Sequence, residues 1–174
     1  VAHIDASGPF SDFSAYQRTM VLLRGAGLEL RFSDGQSRTL RRVGELAEFD
    51  GALSTHCQLL NGPCVDLNLM VLKSDTVAAG VQRFVEPLTL NASPDEATLV
   101  FSIYETIVID TTTWESATLE PWDLAVLSGC GARLSRLEPV DSADAETTVA
   151  PAYVFIATLS APDDGAMAGQ ATAS

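Results

Sequence analysis

The chain has 174 residues, 23 acidic side chains against 10 basic ones, and a formal net charge of −13. With 47% hydrophobic residues and a mean hydropathy of +0.17, it is too apolar for a disordered acidic chain and long enough to bury a core. The charge argues against nucleic acid and anionic membrane surfaces as partners, and no apolar run approaches the ~18 residues that span a bilayer.

The charge is unevenly placed. Residues 1–87 carry a net −2 and residues 88–174 a net −11, which marks two unlike halves. Cys57, Cys64 and Cys130 are too few for a disulfide framework and read as thiols of a cytoplasmic protein. No basic stretch precedes an apolar one at the start of the chain, so no export leader is expected.

In chain order, Val1–Asp5 looks extended, and residues 7–18 form a turn-rich stretch with Phe10, Phe13 and Tyr16. Strands are expected over 19–24 and 28–32, separated by Gly25-Ala26-Gly27. An Asp34-Gly35 turn leads into a further extended piece. Strands follow at 45–49, 56–60 and 65–73. The only stretch with helical potential is Val77–Phe84. The second half repeats the plan, with strands at 98–103, 106–110, 117–119, 123–127, 133–137 and 152–159. Glu138–Pro151 reads as an acidic loop and 161–174 as a mobile tail.

The halves can be superposed by sequence. Gly44–Gly51 matches Trp122–Gly129 at a shift of 78, with Leu46, Ala47 and Gly51 recurring and Glu45 meeting Asp123. At 79, Thr19-Met20-Val21 meets Thr98-Leu99-Val100, and Thr39-Leu40 meets Thr118-Leu119. A duplicated β unit of roughly 80 residues accounts for this. Short strands divided by turn glycines are the pattern of a cupin-type jelly roll. The expected architecture is therefore all-β, a bicupin of two tandem barrels: 1–87, a divergent 88–160, and a tail at 161–174.

Catalytic metal in many cupins sits on a His-x-His pair, a Glu and a later His. This chain has only His3 and His56, so a metal-free, cofactor-free site is expected. No Gly-x-Ser-x-Gly elbow or phosphate-cradling loop is present. The informative segment is Asn61–Met70. Strand alternation puts Asp66, Asn68 and Met70 on one face and Val65, Leu67, Leu69 and Val71 on the other. The polar face lines either solvent or a pocket, and the residues alone leave both open. Buried, Asp66 needs a cation, for which Arg18 and Arg24 are the candidates.

These segments resemble the HutD/Ves family. The resemblance rests on Gly8-Pro9-Phe10-Ser11, Arg18, Leu22–Leu28 with its Gly25-Ala26-Gly27, Phe49-Asp50-Gly51, Leu60-Asn61-Gly62-Pro63, and Asp66-x-Asn68-x-Met70. It is strong over residues 7–70 and weak after about 88. It implies a bacterial, cytosolic bicupin, with a proposed sensing role in histidine utilisation for some members and a stress-induced label for others. Family members carry a further N-terminal segment and first strand, so the first unit is expected to be truncated. They also carry basic residues after the Asp-x-Asn-x-Met element, where this chain has Val71-Leu72 and only Lys73.

The resulting expectation is a pocket for a small polar or carboxylate metabolite. Arg18 would meet the anionic group, Asp66, Asn68 and Ser11 would orient it, and Phe10, Phe49 and Met70 would supply apolar walls. The alternatives are a metal-independent isomerase or epimerase, with Asp66 as base and His56 the nearest histidine in sequence, and an acidic scaffold for a basic partner. A homodimer is the expectation by analogy with cupin sheets that pair edge to edge.

Overall fold

In the computed structural model, residues 1–84, 87–91, 93–113, 115–137 and 152–160 are described. All regular elements among them are strands: β1 (Ala2–Ile4), β2 (Gly8–Pro9), β3 (Tyr16–Arg24), β4 (Leu28–Phe32), β5 (Ser37–Leu40), β6 (Leu46–Asp50), β7 (Thr55–Leu59) and β8 (Cys64–Leu72), then β9 (Thr76–Phe84), β10 (Leu88–Leu90), β11 (Glu96–Ser102), β12 (Ile107–Thr111), β13 (Ser116–Leu119), β14 (Leu124–Ser128), β15 (Ala132–Arg136) and β16 (Ala152–Ser160). The expected strands are present within a few residues.

Four antiparallel sheets of four strands result, ordered β1-β8-β3-β6, β2-β7-β4-β5, β9-β16-β11-β14 and β10-β15-β12-β13. Adding eight to each strand number converts the first sheet into the third and the second into the fourth. The halves are therefore topological copies, as the sequence repeat predicts.

The repeat register needs one correction. Val21 of β3 pairs with Leu46, whereas Leu124, the counterpart of Leu46, pairs with Phe101 of β11. Val21 therefore corresponds to Phe101, a shift of 80 rather than 79. Threonine and valine recur along both strands, so an off-by-one match scored well. Such a slip exchanges the two faces of a strand. The 78-residue shift of the later segment holds. Gly44 and Trp122 both have positive φ, 86° and 76°, and their amides bond to the carbonyls of Leu22 and Ser102. Glu45 accepts from the Arg42 amide and Asp123 from the Glu120 amide, closing equivalent turns.

Packing follows the side-chain alternation. Met20 and Leu22 of β3 point into a core shared with Leu28 and Leu30 of β4 and Phe49 of β6. Val21 and Leu23 of the same strand point the other way, against Phe101, Ile103, Phe155 and Ala157 of the second half. β3 is thus buried on both faces and reads as a continuous apolar run. β4 alternates instead: Leu28, Leu30 and Phe32 are buried, while Glu29 and Arg31 bond each other on the outside. A third core, built on Val100, Ile107, Ile109, Leu134 and Val154, fills the second half.

Val77–Phe84 is strand β9, not helix, and pairs along the whole of β16. Its Val77, Ala79 and Val81 alternate onto the core between the halves, a period of two that the intervening small residues obscure. Pairing therefore passes to the second half between Leu72 and Thr76, ahead of the expected boundary at 87/88. β1 holds in the first sheet the edge position that β9 holds in the third, but it pairs only with Cys64–Asp66. The expected loop at Glu138–Pro151 and the tail at 161–174 lie outside the described residues. Among the described residues, no helix is long and apolar enough to cross a membrane.

Candidate functional site

The polar face of β8 runs from buried Asp66 through half-buried Asn68 to exposed Met70. Cys64 joins the first core, while Val65 and, partly buried, Leu67 and Leu69 pack between the halves. Asp66 is therefore carried inside and is fully buried. Register with β3 sets Leu22 opposite Asp66, Met20 opposite Asn68 and Arg18 opposite Met70. Arg18 is itself only 5% exposed.

Three polar groups form a chain. Arg18 Nη2 donates to Asn68 Oδ1 at 2.7 Å, and Asn68 Nδ2 donates to Asp66 Oδ2. The chemistry dictates the order. A guanidinium only donates and an ionised carboxylate only accepts, so a carboxamide between them turns its oxygen to Arg18 and its nitrogen to Asp66. The buried Arg18 Nε and Asp66 Oδ1 have no partner among the described residues. Burial pushes the Asp66 carboxyl up to about 6, against the opposing pull of Arg18 and Asn68. Burial also lowers the Arg18 pKa, with Asp66 acting in the opposite direction.

Aromatic rings surround the guanidinium. Its central carbon lies 4.9 Å from the Phe49 ring centre, 5.2 Å from Phe10 and 5.3 Å from Phe13. Each contact is of cation–π type and contributes ~0.5–2 kcal/mol depending on desolvation. Together they hold a cation that has little water around it.

The Phe49-Asp50-Gly51 element explains how these rings are positioned. The Gly51 amide donates to Tyr16 O at 2.9 Å, and its carbonyl accepts from the Phe13 amide at 3.2 Å. A Cβ at Gly51 would fall 2.3 Å from Phe13 O, so only glycine lets the β6 end approach the Phe13 loop. Asp50 pairs with Lys73 at 2.6 Å, tying β6 to the end of β8.

Arg18, Asp66, Asn68, Met70, Phe10 and Ser11 all line one cavity of about 500 Å³, as does Phe13. Of the two readings of this face, the buried Asp66 end fits a pocket and the exposed Met70 end fits solvent. Phe49 lies behind Arg18 and supports it rather than lining the cavity. Arg24 is not the Asp66 cation; its guanidinium lies over Trp122, 5.5 Å from the ring centre. His56 stands on the exposed face of β7 and is absent from the cavity lining, so the His56–Asp66 pairing needed by the isomerase reading is not formed. Sequence reasoning missed Phe13 and the contribution of residues 1–6, His3 among them. Phe13 carried a signal, because it falls one turn-rich step from Phe10. The 1–6 contribution carried none, because it depends on β1 pairing with a strand more than 60 residues away.

The second half has lost this site. By strand register, Arg18 corresponds to Thr98, Asp66 to Val154, Asn68 to Ile156, Met70 to Thr158 and Phe49 to Leu127. Val154 is fully buried in the second-half core. Among the described residues, no group of three or more His, Cys, Asp or Glu is arranged to hold a metal ion.

An all-β chain of paired four-stranded sheets, carrying a polar cluster in one half, has the fold of the cupins. A Cupin 2 conserved barrel domain protein from Leptotrichia buccalis superposes with a TM-score of 0.51 at 10% identity, over 91% of this chain and 80% of that one. Within that class, the chain belongs to the HutD family, whose model matches residues 1–143. A conserved protein of unknown function from Pseudomonas aeruginosa superposes with a TM-score of 0.78 at 25% identity, covering 92% of this chain and 80% of that one. HutD from Pseudomonas fluorescens superposes at 0.63 and 22% identity, covering 90% and 76%. An uncharacterized 21.2 kDa protein in the hutC 3′ region of Pseudomonas putida is 39% identical over 70 residues, which are 40% of this chain and 36% of that protein. The aligned part thus spans about a third of that relative.

Proposed function

We propose that this chain is a HutD-like bicupin that binds a small carboxylate metabolite in its first unit, without a metal, and acts in the cytoplasm as a sensor in histidine utilisation. The observation that carries the reading is Arg18. A buried guanidinium, caged by three phenylalanines and steadied by Asn68 at a cavity of about 500 Å³, is a built anion receptor. Its planar fork suits a carboxylate, and the apolar lining suits a small organic body. The loss of all three polar groups from the second half supports a division of labour, with one unit binding and the other supporting.

Neighbouring names support the biological setting. The Pseudomonas putida relative lies in a hutC 3′ region, and the Pseudomonas fluorescens HutD was determined in a formate condition, formate being the smallest carboxylate. The metal-free reading draws on the donor set: Asp5, Asp66, His3 and Asn68 line the cavity, but among the described residues no three His, Cys, Asp or Glu side chains are arranged to hold an ion.

Thermal-shift and calorimetric screening of histidine-pathway carboxylates tests the proposal. At least one is expected to stabilise the wild type through preferential binding to the folded state, and Arg18→Ala is expected to abolish the response. Equal responses from the two proteins, or none from the wild type, would overturn it.

A further inference from the structure

The binding reading leaves a charge problem that the geometry resolves. Arg18 and Asp66 are both buried and joined through one carboxamide, so the empty pair is close to neutral. A ligand carboxylate on Arg18 brings a second negative charge beside the same buried pair. Two carboxylates and one guanidinium leave an uncompensated buried charge, which costs several kcal/mol. A carboxyl group escapes that cost by taking a proton.

We infer, on the basis of the anion-binding reading, that a carboxylate enters this site together with one proton, and that Asp66 receives it. The step balances simply: the ligand anion and a proton from solvent enter, Asp66 becomes neutral, and the net charge of the site is unchanged. No bond of the ligand breaks. The geometry suits this outcome. Asp66 Oδ1 is buried with no partner among the described residues, so it can hold the hydrogen while Oδ2 still accepts from Asn68. The Asn68 amide then keeps its orientation, and Arg18 keeps its contact. Asp66 already titrates near 6, so an added negative charge moves it toward neutral pH.

The consequence is a selective, pH-tuned receptor. A monoanion needs one proton, a dianion two, and only one carboxyl is available at the polar chain, so monocarboxylates are preferred. The other titratable groups around Asp66 are Arg18 on β3, Cys57 on β7, Cys64 on β8, and His3 and Asp5 of the segment that lines the cavity. Burial holds the Cys57 thiol up at about 11, so it stays neutral. His3 is the competing explanation, because a histidine gaining charge also favours an anion at lower pH.

Formate, which stays ionised across the range, is titrated into the full chain and followed by NMR from about pH 5 to pH 8. The wild-type affinity is expected to fall by about tenfold per pH unit above roughly pH 6.5. Asp66→Asn is expected to bind with little pH dependence and, at about pH 8, more tightly than wild type. His3→Gln should keep the wild-type slope. If Asp66→Asn does not fold, calorimetry of wild type alone in phosphate and Tris buffers reads the same proton uptake, expected to approach one per formate. A flat wild-type profile, or one abolished by His3→Gln and kept by Asp66→Asn, overturns the proton coupling while leaving anion binding intact. Absence of formate binding to every form at every pH overturns the binding reading itself, and the coupling with it.

Discussion

Asp66 makes the stability of the unliganded protein depend on pH in an unusual direction. Its folded-state carboxyl titrates near 6 rather than at the ordinary 3.8, because burial disfavours the charged form. Between these values the folded chain holds a proton that the unfolded chain has released, so stability falls as pH rises through that window. A gap of about two pH units corresponds to about 3 kcal/mol, a cost absent well below pH 4 and fully present above about pH 7. Asp66→Asn keeps the shape and the bond to Asn68 but cannot ionise. Urea unfolding of both proteins at matched ionic strength, from about pH 4 to pH 8, isolates the effect, since other titrating groups cancel in the difference. The variant should gain about 2–3 kcal/mol relative to wild type across that range. Parallel curves for the two proteins would refute the reasoning.

Two further predictions concern the repeat. Trp122 holds φ 76° where the first half has Gly44, so Trp122→Gly should be less destabilising than Trp122→Ala by about 1 kcal/mol, the reverse of the usual order for these residues. Denaturation midpoints check this, and an alanine variant as stable as the glycine variant would contradict it. In the second-half core, Val154→Asp should cost about 3–5 kcal/mol as an unpaired buried carboxylate, and Thr98→Arg in the same chain should recover part of the loss. A double-mutant cycle showing no coupling between these two positions would remove the equivalence drawn from strand register.

Much of the fold was legible because its grammar is local. Leu28–Phe32 alternates in the expected way, and turn glycines separate the strands. The polar face of Asp66, Asn68 and Met70 was readable from alternation alone. Its direction was not, since whether a strand face meets solvent or a cavity depends on which strands flank it. The same limit hid β9, whose Ala78-Ala79-Gly80 run makes its period of two invisible until β16 lies beside it. The displaced β3 match shows a related weakness: sequence identity tolerates a one-residue slip that a sheet does not. The rings around Arg18 come from residues 10, 13 and 49, and the carboxamide from residue 68. No local pattern reports that such distant residues meet.

The two-sided burial of β3 has a mechanical consequence. Arg18 stands on a strand whose Val21 and Leu23 are wedged against the second half, while its Met20 and Leu22 are wedged against the first. Asp66 and Asn68 stand on β8, whose opposite face is pressed into the same seam. This wall of the cavity is therefore packed from behind on both sides. The opposing wall, built from residues 1–13, is largely exposed and held by two short strands. On the binding reading proposed above, adjustment to the size of an occupant would fall to that thin wall, leaving the β3–β8 wall to read charge.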